Sequence, residues 1–158
     1  MGGGGGGRSS PDVRKRLEAP AKRKRKLPGH GRRNVFISFA NEDKPMVELL
    51  RGQALKEDST LHFNDWSLRA PFDSERADYI REGVRERIRQ ASLTLVYVSD
   101  HTAKSKWVNW EVEESLKLEK KVVGVYQGEI PRQLPPAIKK HRIRIIAWTH
   151  KGIAKALK

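Results

Sequence analysis

The sequence predicts one α/β domain from Asn34 to the C-terminus, with a mostly parallel sheet covered by helices on both faces. Short, continuous apolar runs rich in β-branched residues recur along the chain, as in strands that are buried on both faces. Amphipathic segments, with apolar residues at helical spacing, separate these runs. This alternation of strand and helix is typical of a parallel sheet.

The first half of the domain contains two predicted strands and two predicted helices. Residues 35–39 predict a buried strand, and the polar turn 41–45, with its Asp and Pro, favours a helix start. The helix that follows is expected to bury four apolar residues: Met46, Leu49, Leu50 and Ala54. Residues 61–63 predict a short strand and 64–74 a long loop. Residues 75–90 form an amphipathic helix whose apolar stripe continues one residue further: Ala77, Ile80, Val84, Ile88 and Ala91.

The second half repeats the alternation. Residues 93–98 are the strongest strand, and residues 106–119 are a helix. A third buried run at 122–126 precedes a connection that contains Pro131, Pro135 and Pro136. Residues 143–148 predict the last strand, and 151–157 a short helix.

Five such strands favour a flavodoxin-like, doubly wound topology. In that fold, ligands bind beyond the carboxyl ends of the strands. The loops at 39–44, 64–74 and 99–106 are therefore where we expect a site.

The positive charge is concentrated at the N-terminus. The formal net charge is +14, but residues 1–34 hold 11 basic and 2 acidic side chains, so the rest is only mildly basic. Residues 1–33, with six consecutive glycines and the basic run 22–26, predict a disordered tail, because too few apolar side chains offset the entropy of ordering. This tail is expected either to contact nucleic acid or acidic surfaces non-specifically, or to have no specific role.

Several classes of protein are disfavoured by composition. The chain has no cysteine, which excludes disulfides, a thiol nucleophile and a cysteine-ligated metal. No segment approaches the ~20 apolar residues that span a bilayer, and no apolar signal segment begins the chain. We expect a cytoplasmic protein without a membrane span.

Glu111 is a charged residue on a helix face that is otherwise expected to be buried. On the helix that starts at Lys106, Glu111 falls inside the arc of residues expected to face the core: Trp107, Val108, Val112, Ser115, Leu116 and Leu118. A carboxylate there is unfavourable unless it is paired or serves a function. It either turns outward, pairs with an arginine of a neighbouring element, or is a functional group. The other carboxylates of this helix are expected to be surface charges: Glu113, Glu114 and Glu119.

Three segments carry a resemblance to a known family. Residues 35–39 resemble the opening strand of Toll/interleukin-1 receptor (TIR) domains. Residues 98–102 and 106–112 resemble that family's third strand and following helix, in which a Trp precedes a Glu by four positions, here Trp107 and Glu111. Within the family, the chain is most similar to the bacterial TIR-like branch, including the TIR-like proteins of Thoeris antiphage defence. The resemblance covers about residues 34–148.

The resemblance implies a flavodoxin-like fold and, as in many bacterial members, cleavage of the nicotinamide–ribose bond of NAD. Glu111 would be the catalytic residue, NAD the substrate, and neither a cofactor nor a metal would be needed. Residues implied on the substrate side are Phe39, Ala40, Asp65, Trp66, Ser99 and Trp107. The loop that starts at Asp65 would cover the site and mediate self-association. The glycine that is common in this loop is absent here, and Ala70 and Pro71 occupy the stretch instead.

Two other functions remain open at this point. A non-catalytic adaptor would use the same fold to self-associate, without a substrate. A phospho-receiver would need Glu42 and Asp43 with Asp100 as acceptor and Lys151 as its lysine, but no Ser or Thr ends the strand at 122–126. A dinucleotide-binding dehydrogenase is disfavoured, because no Gly-x-Gly-x-x-Gly follows the first strand.

Overall fold

The structure, a computed structural model, describes residues 33–56, 61–64 and 71–158. The predicted tail, apart from Arg33, lies outside these residues, as do Asp65 and Trp66. The predictions made for those segments therefore stay predictions.

Strands and helices alternate along the described residues in this order: β1 Arg33–Ser38, α1 Lys44–Lys56, β2 Leu61–Asn64, α2 Ala77–Gln90, β3 Leu93–Tyr97, α3 Lys106–Lys117, β4 Lys121–Tyr126, α4 Pro136–Lys140, β5 Ile145–Ala147 and α5 His150–Ala156. The strands form one sheet in the order β2-β1-β3-β4-β5, and every pairing is parallel. This is the flavodoxin-like, doubly wound order, so the predicted fold class is confirmed. The strand order reverses between β1 and β3, where such sheets bind ligands.

The side chains of the sheet alternate between two cores, because successive residues of a strand point to opposite faces. Val35 and Ile37 of β1 pack in the cluster that α1 and α5 cover. Phe36 packs on the other face, beneath α2 and the start of α3. Val96 and Val98 lie on that second face as well, against α3 and α4. Ser38, two residues after Phe36, therefore faces α3.

The predicted inward face of α1 is confirmed for Leu50 and Ala54 and wrong for Met46 and Leu49. Met46 is 39% exposed and Leu49 is 55% exposed, whereas Val47, Leu50 and Ala54 are buried. A short 3₁₀ turn at Asn41–Asp43 precedes α1 and delays the start of the helix to Lys44. Val47, Leu50 and Ala54 also follow helical spacing, so the apolar pattern allows two overlapping faces, and the structure buries the face that contains Val47.

The prediction also differs from the structure in the region around β5. The strand spans Ile145–Ala147, which is shorter than the predicted 143–148. The proline-rich connection contains an unpredicted helix, α4, with Pro136 in its first turn, where the missing N–H of proline has no helical partner to lose. Separately, none of the helices in the described part of the chain has the length and hydrophobicity that crossing a bilayer requires.

Candidate functional site

Glu111 lies in the second turn of α3, and its carboxylate is directed at the carboxyl end of β1. Its side chain is 0% exposed, and so is that of Ser38. The Ser38 hydroxyl donates a hydrogen bond of 2.6 Å to Glu111 Oε1. Hydrogen bonds to an ionised carboxylate are short and about twice as strong as neutral ones. Glu111 therefore accepts a hydrogen bond from a serine and does not turn outward to solvent.

Three further hydroxyls fix the helix that carries Glu111. Ser115 donates to the Glu111 carbonyl at 2.7 Å, and its oxygen lies 2.9 Å from Thr94 Oγ1 on β3. A serine has one hydroxyl proton, so Thr94 must be the donor to Ser115. Ser105 caps the N-terminus of α3 by accepting from the Val108 N–H at 3.2 Å. Together these bonds set the start and the depth of α3 against the sheet.

Trp107 lies one turn before Glu111 and is only 6% exposed. Its ring makes edge-to-face contacts with Phe72 and Trp110, at centroid distances of 5.0 and 5.9 Å. Arg81 of α2 lies 4.3 Å from the Phe72 ring centroid. The structure thus places Trp107 on the Glu111 helix, in an aromatic cluster between α2 and α3.

Phe39 and Ala40 follow β1 and are each 2% exposed. The Phe39 side chain packs in the α1/α5 core with Val47 and Leu50. That core is on the opposite face of the sheet from Glu111, so the structure does not bring the two side chains together. The Ala40 carbonyl accepts from the Asp43 N–H at 2.9 Å.

A second buried carboxyl, Asp43, joins the loops that follow β1 and β3. Asp43 is 8% exposed, and the Ser99 hydroxyl donates to its Oδ2. Burial raises the pKa of Asp43, and the hydrogen bond from Ser99 opposes part of that rise. The Ser99 N–H donates to Thr102 Oγ1 at 2.8 Å, and Thr102 donates to the Tyr97 carbonyl at 3.0 Å. Ser99 thus lies at the reversal point of the strand order, and its hydroxyl proton is engaged by Asp43.

An open cleft of about 250 Å³ lies beside Ser99, beyond the carboxyl ends of β3 and β4. Its polar lining includes Asp100, Gln127 and Arg132. The cleft lies beyond the strand ends, but residues 127–132 on one side of it were not among the predicted loops, and Glu111 is not part of its lining. The described residues hold no group of three acidic or histidine side chains that could bind a metal ion.

One expectation for α3 is wrong. Glu114 is not a surface charge but is 6% exposed, and Arg85 of α2 donates to it through Nε at 2.6 Å. Arg85 also lies 5.5 Å from the Trp110 ring centroid. Packing of α2 against α3 covers this position, which helical spacing alone places beyond the arc that faces the sheet. Arg85, an arginine of a neighbouring element, thus pairs with Glu114.

Sequence reasoning missed the hydroxyl groups around Glu111. Ser38 interrupts the apolar run 35–39, and Thr94 interrupts 93–98. A hydroxyl on the buried face of a strand needs a hydrogen-bonding partner, so these interruptions were the available signal.

A family model and several solved structures are similar to this chain. The family model described as "Thoeris protein ThsB, TIR-like domain" matches residues 36–130. No curated protein matches the chain.

Solved structures that are similar include the CMP N-glycosidase BcmB from Clostridium botulinum, with 14% identity over 79% of this chain and 98% of that chain, at a TM-score of 0.49. The TIR domain of the Toll-related receptor TRR-2 from Hydra magnipapillata has 15% identity over 78% of this chain and 90% of that one, at a TM-score of 0.49. The TIR domains of the activated Roq1 resistosome, which recognises the pathogen effector XopQ, have 18% identity over 78% and 68%, at a TM-score of 0.44. These likenesses are too distant to support an argument about function.

Proposed function

The chain belongs to the family of Thoeris ThsB TIR-like domains, and on that premise we propose that it cleaves the nicotinamide–ribose bond of NAD. The products are nicotinamide and either ADP-ribose or a cyclic ADP-ribose-type molecule, made for bacterial defence signalling. Glu111 is the proposed catalytic residue.

The reaction places a specific demand on the protein. The bond between the ribose carbon and the nicotinamide nitrogen breaks with its electron pair on nitrogen, so nicotinamide leaves as a neutral base. Positive charge then develops on the ribose, as in glycoside hydrolysis. Attack by water, with loss of a proton, gives ADP-ribose, whereas attack by an internal hydroxyl or ring nitrogen gives a cyclic product. A carboxylate beside the ribose stabilises this charge, and no strong general acid is needed.

The observation that carries the proposal is the buried Ser38–Glu111 pair at the carboxyl end of β1. Glu111 is 0% exposed, and Ser38 holds its Oε1 at 2.6 Å. A fixed carboxylate in an environment without water interacts more strongly with a developing cation than one in solvent. Ser38 pairs in register with Val96 of β3, so the carboxylate lies near the reversal point of the strand order.

The same burial sets a requirement for the reaction. Because the side chain of Glu111 has no exposed surface, the ribose reaches the carboxylate only after the protein opens around it. We propose that self-association provides this opening, with Asp65 and Trp66 in the covering loop. Ala40, Ser99 and Trp107 are proposed to line the substrate side, and Phe39 can contribute there only through its backbone, since its side chain faces α1 and α5.

Burial of Glu111 also favours a second candidate function. An adaptor that only self-associates has no need for an accessible carboxylate, and a buried Glu111 would then be a structural group. Both candidates place the protein in the cytoplasm, where NAD and signalling partners are found, and the basic tail is proposed to contact acidic surfaces.

Nicotinamide release from NAD by the purified protein, at high protein concentration, distinguishes the two candidates. We expect release by the wild type and a loss of at least about 100-fold in Glu111→Ala and Glu111→Gln. Glu113→Gln is the matched control, since Glu113 lies on the same helix, is only partly buried and contacts His141. Equal activity of the wild type and both Glu111 variants would refute the site. Inactivity of all proteins that nevertheless self-associate would favour the adaptor.

A further inference from the structure

The hydrogen bond between Ser38 and Glu111 joins two side chains that are each 0% exposed. Ser38 has one hydroxyl proton and donates it to Glu111 Oε1 at 2.6 Å. A donor of this kind favours the ionised form of a carboxyl group over the neutral form. Since both side chains are buried, removal of the serine hydroxyl deprives the carboxylate of this donor in the closed domain.

We propose that Ser38 is a positioning residue that keeps Glu111 ionised and aimed at the carboxyl end of β1. Its effect on catalysis rests on the proposed cleavage of NAD, whereas its effect on ionisation does not. Ser38 acts through Glu111, and its proton is already engaged by that carboxylate.

The other hydroxyls near Glu111 act on the backbone instead. Ser115 donates to the Glu111 carbonyl, and Thr94 donates to Ser115. These bonds hold the helix, but they put no donor on a carboxylate oxygen. Ser115→Ala is therefore a matched control, because it removes a hydroxyl that is equally buried, at 0% exposure, and that also serves Glu111.

Charged groups on α2 and α4 contact other residues of the domain. On α2, Arg85 binds Glu114 and Arg81 lies against the Phe72 ring. On α4, Lys140 and the adjoining His141 lie beside Glu113. The sheet residues on the α3 side are uncharged: Phe36, Ser38, Thr94, Val96, Val98, Val122 and Gly124.

The pH dependence of nicotinamide release tests the proposal. If Glu111 must be ionised for the reaction, its protonation produces the acid limb of the profile of kcat/KM against pH. We expect Ser38→Ala to move the midpoint of this limb upward by about one to two pH units, from the loss of a hydrogen bond to a charged group. Ser38→Cys, which keeps a weak donor of similar size, should move it less. Ser115→Ala should leave the midpoint in place.

A second measurement separates this inference from the proposed function. The side-chain carboxyl ¹³C signal of Glu111, assigned by its absence in Glu111→Gln, is titrated in the full chain for the wild type, Ser38→Ala, Ser38→Cys and Ser115→Ala. An upward shift of the Ser38→Ala midpoint, without nicotinamide release by any protein, would support the positioning role and refute the cleavage of NAD. Nicotinamide release with unmoved midpoints in both Ser38 variants would overturn the positioning role alone. If Ser38→Ala does not fold, Ser38→Cys decides by the same criteria.

Discussion

Removing the two members of the Ser38–Glu111 pair, singly and together, should give strongly non-additive changes in stability. The bond is 2.6 Å long, and both side chains are fully buried. A hydrogen bond to a charged group contributes about 1.5–3 kcal/mol, so we expect Ser38→Ala to lower the free energy of unfolding by about 2 kcal/mol. Glu111→Met, an unbranched replacement of similar length, leaves the Ser38 hydroxyl without its acceptor, which costs about 1–3 kcal/mol.

The double variant should be far more stable than the sum of the single effects indicates. Replacing both partners by apolar groups removes the buried charge together with the hydroxyl that served it, and such paired replacements are nearly neutral or stabilising. We expect the double variant to lie within about 1 kcal/mol of the wild type, or above it, which corresponds to a coupling energy of at least about 2 kcal/mol.

Urea unfolding at neutral pH, followed by tryptophan fluorescence and far-UV circular dichroism, measures the four proteins of this cycle. A coupling energy below about 0.5 kcal/mol would refute the reasoning, because the bond would then make no net contribution. If the wild type releases nicotinamide and an equally stable double variant does not, the carboxylate is retained for function and not for stability.

Three further predictions concern other parts of the domain. Arg85→Met should lower the free energy of unfolding by about 1–3 kcal/mol in urea, because Arg85 is partly exposed but its partner Glu114 is left buried. Burial raises the pKa of Asp43 above its ordinary value of 3.8, so the native state binds this proton more tightly than the unfolded state does. The contribution of this proton to stability is therefore present at low pH and is lost as the pH rises through the raised pKa. Urea unfolding from about pH 4 to pH 7 should therefore show Asp43→Asn gaining relative to the wild type, and a constant difference would contradict this. In urea unfolding, Val47→Ala should lower the free energy of unfolding by about 2 kcal/mol, whereas Met46→Ala should change it by less than about 0.5 kcal/mol. Equal effects of the two substitutions would contradict the observed face of α1.

The strands and the long helices were predictable because their signals are local. The runs at 35–39 and 93–98 are short, apolar and rich in β-branched residues, which favours a buried strand, and the stripe of α2 from Ala77 to Ile88 is buried as expected. The strand order also follows, because five short parallel strands with intervening helices allow few arrangements. The inward face of α1 was predicted only in part, since its apolar residues form two overlapping stripes at helical spacing and the structure buries only one of them.

The position of Glu111 was predictable in part. Helical spacing places it toward the core, and the structure buries it completely. Its partner was not predicted, because Ser38 and Glu111 are 73 residues apart and come together only when α3 packs on β1. For the same reason, the pairing of Glu114 with Arg85 was missed: it depends on the packing of α2 against α3, and one helix viewed alone does not show it.

The separation between Ser38 and Glu111 also has a consequence for how the site forms during synthesis. The serine emerges from the ribosome early, whereas the carboxylate, with the rest of α3, follows 73 residues later. Contacts of such high sequence separation form late in folding, because a long loop must close before they contribute. The bond that orients Glu111 is therefore absent from any nascent chain that ends before α3, and the proposed NAD-cleaving site can assemble only once most of the domain has been made.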